Sequence, residues 1–261
     1  LLLIKTIAIS IVTYNSQDVF ETLDNIVTKI MPYIKTNIYV FDNNSSDEYK
    51  KKLKSYGTQM SIHYHHENMG FGFGHNYNAS KCNDEYFIVY NPDILADHET
   101  LIKMHDFMED QVEVGMCVPK VLNKDGSIQY LIRKRLNLFD YMLRFIPFKF
   151  IRRLFDKRLA NYECRDLSDE RQEILFGSGC FMFFRTSIFK KIKGFDERFF
   201  MYFEDNDICQ RLRAANEKIY YLPDATVIHF YAKGAHKSKK LFSIFIKSMV
   251  QYFNKWGWTF F

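Results

Sequence analysis

The chain opens on a continuous apolar run, residues 4–12, rich in β-branched side chains, which predicts a strand buried on both faces. Ser16 can cap a helix that runs to about Met31, where Pro32 follows. Residues 37–41 predict a second strand, ending in the polar burst Asp42-Asn43-Asn44-Ser45-Ser46-Asp47; a helix then runs to Tyr56 and Gly57 closes it. Residues 61–65 predict a third strand. The glycine-rich turn at 70–74 leads into a helix through Lys81, and residues 85–90 predict a fourth strand ending at Asn91-Pro92-Asp93. Alternation of this kind predicts an α/β fold with a mainly parallel central sheet flanked by helices. Ligands bind such sheets at the carboxyl ends of the strands. The tips Thr13-Tyr14-Asn15, Asp42-Asn43-Asn44 and Asn91-Pro92-Asp93 should therefore line one rim.

Beyond Gly126 the pattern changes. Residues 131–172 are basic, aromatic and helical in character, and Pro147 should divide 138–159 into two short helices. Residues 174–184 read as a strand, and residues 194–215 place an acidic cluster on a helix. Two late strands, 218–222 and 225–230, precede a final amphipathic helix at 241–253. This gives one domain over residues 1–230, with an insertion at about 131–172, and an appended helical segment at 231–261.

Charge and composition narrow the function classes. The net charge of +5 is uneven, with much of the excess between Arg133 and Arg158, and such segments attract phosphates or anionic lipid. The 26 Phe and 17 Tyr exceed what a core needs, so some should face a ligand, a membrane or a partner. The basic aromatic stretch and the final helix are candidates for an anionic membrane surface, a homodimer interface or packing on the domain itself. A nucleic-acid partner is not expected, because it would leave the polar strand tips unexplained. Five cysteines with no CxxC pair argue against a disulfide framework or structural zinc site and for a reducing compartment, hence a cytoplasmic protein, peripheral at the inner face of the membrane if it meets one. Four apolar residues before Lys5 are too few for a signal peptide or spanning helix.

Three features carry chemistry. Asp93 at a strand tip can hold Mg²⁺ or Mn²⁺ against a diphosphate, or simply cap the next helix. In Phe203-Glu204-Asp205-Asn206-Asp207, Glu204 and Asp207 share a helix face while Asp205 points elsewhere. Arg211 and Arg213 are placed to pair with Asp207 and Glu204, which would leave Asp205 for the site. His229 ends a β-rich run and could complete a metal site, or be structural. Gly70-Phe71-Gly72-Phe73-Gly74 lacks dinucleotide-binding spacing but could admit backbone to a ligand; Gly177-Ser178-Gly179 allows either close approach of a sugar or a bulge.

Taken in order, these pieces resemble the family 2 glycosyltransferases of the GT-A (Rossmann-like) fold, over roughly residues 5–230. The match runs through Ile11–Asn15, Asp42–Asp47, Asn68-Met69-Gly70-Phe71-Gly72 with Asn76, and Asn91-Pro92-Asp93. It continues through Gly177-Ser178-Gly179, Gly194-Phe195-Asp196-Glu197, the 203–209 cluster with Arg211, and His229. The resemblance implies a nucleotide pocket formed by Thr13, Tyr14, Asn15, Asp42, Asn44, Asn68, Gly70, Asn76 and Asn91. It implies a divalent metal at Asp93 and His229, and Asp205 as the catalytic base. Gly177, Ser178, Glu204, Asp207 and Arg211 would support the acceptor side, with residues 131–172 an acceptor-side insertion. Asn91 replaces the first Asp of the family's metal motif. The Asn-Pro-Asp variant is most similar to the bacterial rhamnosyltransferase-like branch. That implies an inverting transfer from a nucleotide diphosphate sugar, dTDP-L-rhamnose among the candidates, to a glycan or lipid-linked acceptor in surface polysaccharide synthesis. The Gln-x-x-Arg-Trp motif of processive synthases is absent, which fits addition of one or a few sugars. A sugar-1-phosphate nucleotidylyltransferase would need a basic glycine-rich loop after the first strand, where Thr13-Tyr14-Asn15-Ser16 stands instead; a non-catalytic sugar-nucleotide-binding module would not need Asp205.

Overall fold

The structure is a computed structural model that describes residues 6–134, 136–143, 149–167, 169–230 and 239–261. In chain order the strands are β1 Ile7–Thr13, β2 Thr36–Asp42, β3 Ser61–Tyr64, β4 Tyr86–Tyr90, β5 Ile94–Leu95, β6 Val114–Leu122, β7 Gln172–Glu173, β8 Phe181–Arg185 and β9 Lys218–His229. The helices are α1 Asp18–Lys29, α2 Asp47–Leu53, α3 Phe71–Lys81, α4 His98–Asp110, α5 Leu138–Leu143, α6 Lys149–Leu154, α7 Asp156–Tyr162, α8 Thr186–Lys191, α9 Glu204–Ala214 and α10 Lys239–Trp256. One sheet runs in the order β3-β2-β1-β4-β8-β6-β9-β5, with β7 paired to β9.

The first four strands are mutually parallel, as the alternation predicts. β8 then runs antiparallel to both β4 and β6. β1 explains why the sheet needs helices on both faces. Its side chains alternate, so Ile7, Ile9 and Ile11 join Val19, Leu23 and Ile26 of α1 and Leu101 and Met104 of α4 in one core. Ala8 turns to the other core, with Phe87, Phe189, Ile208 and Leu212. Each such aliphatic burial stabilises by roughly 1.5–3 kcal/mol.

The glycine-rich turn serves packing. A Cβ on Gly74 would come within 2.7 Å of Val12 and 2.9 Å of Phe41, so α3 can lie on β1 and β2 only with glycine there. Gly70 has φ of 90°, and a Cβ there would sit 2.2 Å from the Phe200 carbonyl oxygen.

Three expected boundaries move. The run at 174–184 becomes a strand only from Phe181, because residues 174–180 cross the sheet as a loop. The two late strands are one: Leu222 pairs with Pro119 and Thr226 with Lys120, so Pro223, Asp224 and Ala225 bulge out where no ladder bond is required of a proline. The stretch at 138–159 holds α5, α6 and α7 rather than two helices, and Pro147 itself lies outside the described residues.

α10 spends its apolar face internally. Phe245, Met249, Tyr252 and Phe253 pack with Leu136, Tyr162, Phe199 and Phe203 in a third core. Of the roles open to this helix from sequence, packing on the domain is the one its buried face fills. Among the described residues no helix is long and apolar enough to cross a membrane. The five cysteines are all buried free thiols.

Candidate active site

The parallel register sets the rim. Thr13 and Asp42 are direct partners at the ends of β1 and β2. The Asp42 carboxylate is fully buried; Oδ2 accepts from the Ser45 amide at 3.1 Å, while Oδ1 has no partner. A buried carboxylate oxygen left without a donor is costly, and this one lies on the rim where a ligand N–H could meet it. Tyr49 donates its hydroxyl to the Ser16 carbonyl at 3.1 Å, so the short contact beside it is Thr13 Oγ1 donating to Tyr49.

Asn15 and Asn44 both adopt positive φ, 52° and 64°. Asparagine tolerates that region better than most residues. Asn15 lashes the first tip to the second: its amide donates to Ser45 Oγ at 2.8 Å and its Oδ1 accepts from the Ser46 amide at 2.9 Å. Asn44 accepts from Lys50 at 3.1 Å. Tyr14 stands 55% exposed beside them, free to lie against a ring.

The segment at 68–70 is held from below. Asn43 accepts from the Met69 amide and donates to the Gly70 carbonyl, each at 3.0 Å, and Asn68 accepts from the Gly70 amide at 3.1 Å. Asn76 is differently employed from its nucleotide-pocket expectation. Its Oδ1 accepts from the Phe195 amide at 2.8 Å, and its Nδ2 donates to the Phe195 carbonyl and to Glu197, each at 2.9 Å. It clamps α3 to the 194–197 turn.

A second group of sequence-predicted site residues gathers at the Gly179-Cys180 turn. The Asn91 amide donates to the Cys180 carbonyl at 3.0 Å, and the Gly179 amide donates to Asp205 Oδ2 at 3.3 Å. A Cβ on Gly179 would lie 3.3 Å from the Asp205 Cβ, so α9 approaches this loop closely. Ser178 Oγ accepts from the Cys180 amide at 3.5 Å, and the Gly177 carbonyl accepts from the Cys209 thiol at 3.7 Å. Burial pushes the Cys180 thiol up to about 12, with the charges of Asp93 and Asp205 adding to the rise. Asp93 and Asp205 thus both stand within electrostatic reach of Cys180.

Asp93 and His229 meet because β5 pairs with the end of β9, Ile94 opposite His229. Asp93 Oδ1 lies 3.3 Å from His229 Nε2, yet it is buried and has no hydrogen-bond partner. The buried Asn91 Oδ1 also lacks one. A carboxylate oxygen and an imidazole nitrogen this close fit a divalent cation of the Mg²⁺ or Mn²⁺ type. Among the described residues no third His, Cys, Asp or Glu joins them, so a cation here would draw its remaining ligands from diphosphate and water.

α9 aims the acids. Tyr202 and Phe203 enter it with successive positive φ of 71° and 66°, a conformation that costs roughly 1–3 kcal/mol per residue. The burial of Phe203 against Tyr141, Phe245 and Tyr252 offsets that strain. Asp205, partly buried, accepts from Gly179, from the Asn206 amide at 2.8 Å and from Asn206 Nδ2 at 2.9 Å. Burial outweighs those bonds and raises its carboxyl above the ordinary range. Glu204 is raised further, first by burial and then by the Asp205 charge, and its Oε2 has no partner.

Asp207 is fully buried and takes Arg211 at 2.8 Å, as expected, but also Lys255 at 2.6 Å and Trp256 Nε1 at 2.8 Å. The expected pairing of Arg213 with Glu204 does not form; Arg213 donates to Gln210 at 3.2 Å. Lys255, Trp256 and Gln129 were invisible as site supports, since nothing local in sequence links them to the residues they touch.

Comparison with known proteins identifies the family and the fold. The model of the family described as glycosyltransferase like family 2 matches residues 5–251. Over 173 residues the chain is 30% identical to the rhamnosyltransferase WbbL of Escherichia coli (strain K12), covering 65% of this chain and 62% of that protein. Over 149 residues it is 29% identical to the N-acetylglucosaminyl-diphospho-decaprenol L-rhamnosyltransferase of Mycobacterium tuberculosis, covering 57% of this chain and 48% of that one. The chain thus matches about half to three fifths of these relatives' lengths. Among solved structures, GalNAc-T7 with UDP, GalNAc and Mn²⁺ superposes with a TM-score of 0.69 at 16% identity, over 96% of this chain and 48% of the other. The mannosyltransferase PcManGT from Pyrobaculum calidifontis with GDP-Man and Mn²⁺ gives 0.63 at 17% identity, over 96% and 63%. These likenesses establish the GT-A fold.

Proposed function

The chain belongs to the glycosyltransferase-like family 2, and on that premise we propose that it is an inverting, metal-dependent glycosyltransferase with Asp205 as base and Asp93 and His229 as metal ligands. The observation that carries the reading is the approach of the Asn91–Asp93 tip and of Asp205 to the Gly179-Cys180 turn, from positions far apart in the sequence. Asp42, with its partnerless Oδ1, would accept an N–H of the donor's base, and Tyr14 would cover its ring. Thr13, Asn15, Asn44, Asn68 and Gly70 would shape the surrounding wall. A bound divalent cation would offset charge developing on the departing diphosphate. Asp205 would take the proton of an acceptor hydroxyl as that oxygen attacks the anomeric carbon from the face opposite the diphosphate. Its raised affinity for protons makes it a stronger base than an exposed aspartate, provided it is ionised at the working pH. Gly177, Ser178 and Glu204 would border the acceptor.

We assign the donor to L-rhamnose on a nucleotide diphosphate, because both curated relatives named above carry rhamnosyl transfer in their names. The acceptor would be a glycan or lipid-linked saccharide in surface polysaccharide synthesis, taken up beside the 131–172 insertion of a catalytic unit spanning residues 1–230, on which the described part of the 231–261 segment, α10, packs. Incubating the protein with dTDP-rhamnose, UDP-hexoses and GDP-mannose, with Mg²⁺ or Mn²⁺, tests this: selective release of dTDP supports the assignment, and release from another donor alone overturns the sugar.

The insertion suits a peripheral position on an anionic bilayer. On α6 Phe150 and Leu154 are 66% and 78% exposed, within a stretch rich in Arg and Lys. Co-sedimentation should rise with the anionic lipid content of vesicles and fall in F150S/L154S; binding indifferent to lipid charge removes this part of the reading.

A further inference from the structure

We infer that Gln129 is a positioning residue: it fixes the proton of the His229 imidazole on Nδ1 and so directs the Nε2 lone pair at Asp93. The inference rests on the reading of Asp93 and His229 as the metal pair, but its core is a proton assignment that can be measured without metal.

The assignment follows from which atoms can donate. Gln129 Nε2 lies 2.8 Å from the His229 carbonyl and 3.4 Å from the Leu122 carbonyl. Carbonyls only accept, so the amide nitrogen belongs at that end and the amide oxygen at the other. That oxygen is 3.0 Å from His229 Nδ1. It too only accepts, so Nδ1 must carry the hydrogen. In a neutral ring the remaining nitrogen then presents a lone pair. Asp93 Oδ1 lies 3.3 Å from that nitrogen, so a lone pair and a carboxylate oxygen stand side by side, an arrangement that suits a cation.

Gln129 is held in place to do this. Its backbone amide donates to the Val121 carbonyl at 2.8 Å. The turn before it is closed by Asn123 donating to the Ser127 carbonyl at 2.8 Å, with Ser127 also bound to Asp125 at 2.6 Å. The amide therefore sits on a short, braced hairpin rather than on a free loop. Outer partners that orient a ligating imidazole in this way commonly affect metal affinity by about 10–100-fold.

The test uses the intact chain. In metal-free protein labelled with ¹⁵N, the His229 resonances, identified by their loss in His229→Gln, should show a protonated Nδ1 and an unprotonated Nε2. Gln129→Leu should mix the two tautomers. Binding of Mn²⁺ in the presence of UDP or dTDP, followed by the electron paramagnetic resonance of the free ion, should weaken about 10–100-fold in Gln129→Leu. It should fall less in Gln129→Glu, which keeps an acceptor beside Nδ1 while losing the donor to the His229 and Leu122 carbonyls, and urea denaturation of both variants controls for general damage to the fold. A proton found on Nε2 in the wild type overturns the inference, as does unchanged tautomer and Mn²⁺ affinity in Gln129→Leu. Wild type that carries the proton on Nδ1 but binds no Mn²⁺ with either nucleotide supports the positioning role and overturns the metal reading instead.

Discussion

Glu204→Gln separates the two neighbouring acids by their pH behaviour. Glu204 is buried, its Oε2 has no partner, and burial plus the Asp205 charge hold its carboxyl protonated well above the ordinary range. In the unfolded chain the same group ionises near pH 4.3. The folded state therefore keeps a proton that the unfolded state releases. The stability that this proton contributes is complete below about pH 4.3 and is lost as pH rises toward the folded value. Within that window the wild type should lose about 1.4 kcal/mol per pH unit through this one group. Glutamine has nearly the shape of the neutral acid and no proton to release. Its own cost, an amide with imperfect partners, should be a constant of about 1–2 kcal/mol. The variant should therefore be the less stable protein near pH 5 and overtake the wild type as pH rises. Urea denaturation at pH 5, 6, 7 and 8 measures the difference directly. Two stability curves that stay parallel across this range would show that Glu204 is ionised in the folded state and refute the argument. Transfer by Glu204→Gln should persist, because glutamine copies the protonation state that the burial imposes.

The other variants should divide catalysis from scaffolding. Asp205→Asn should lower transfer by about 10²–10⁴-fold with donor binding intact, and near-wild-type turnover would remove Asp205 as base; in the wild type the acid limb of kcat/KM should lie above the ordinary aspartate range, since burial raises this carboxyl. Asp93→Ala should weaken nucleotide diphosphate binding in calorimetry only when Mg²⁺ or Mn²⁺ is present, and equal affinity with and without a chelator would count against a metal role. Asp207→Ala should cost about 3–5 kcal/mol in urea denaturation, because Arg211 loses its buried counter-charge and Trp256 its acceptor, while Lys255 keeps only Asp196. Lys255→Met should cost less, since Arg211 still neutralises Asp207; an equal loss in both would mean that Lys255 supplies all of the pairing.

Periodicity made the parallel half of the sheet legible because each of its strands is a short apolar run closed by a polar tip. The rim followed from that alone: parallel strands end together, so Thr13 and Asp42 had to be neighbours. Where periodicity misled, backbone hydrogen bonding explains it. Pro223 looks like the end of a strand, yet the bulge opposite Pro119 and Lys120 lets the strand continue through it. The glycines at 70–74 look like a place for ligand approach, yet Gly70 answers to the Phe200 carbonyl and Gly74 to Val12 and Phe41. Gly in a sequence reports that something comes close; it does not report what.

The same distinction runs through the site itself. The residues proposed to react or to hold metal, Asp93, Asp205 and His229, stand at strand or helix ends, and ends are marked in sequence by a switch from apolar to polar. The residues that decide what those groups do are elsewhere. Gln129 lies far from His229 in sequence, on a hairpin whose own pattern is that of any exposed turn, yet its amide sets which ring nitrogen bears the proton. Lys255 and Trp256 reach Asp207 from the last turn of α10, which makes the acidic face of α9 depend on a helix that contributes no chemistry. Chain removal before residue 255 should thus disturb α9 even though every proposed reacting group lies before residue 230. The chemistry of this fold is written at element ends, while its tuning depends on contacts that only the closed sheet brings together.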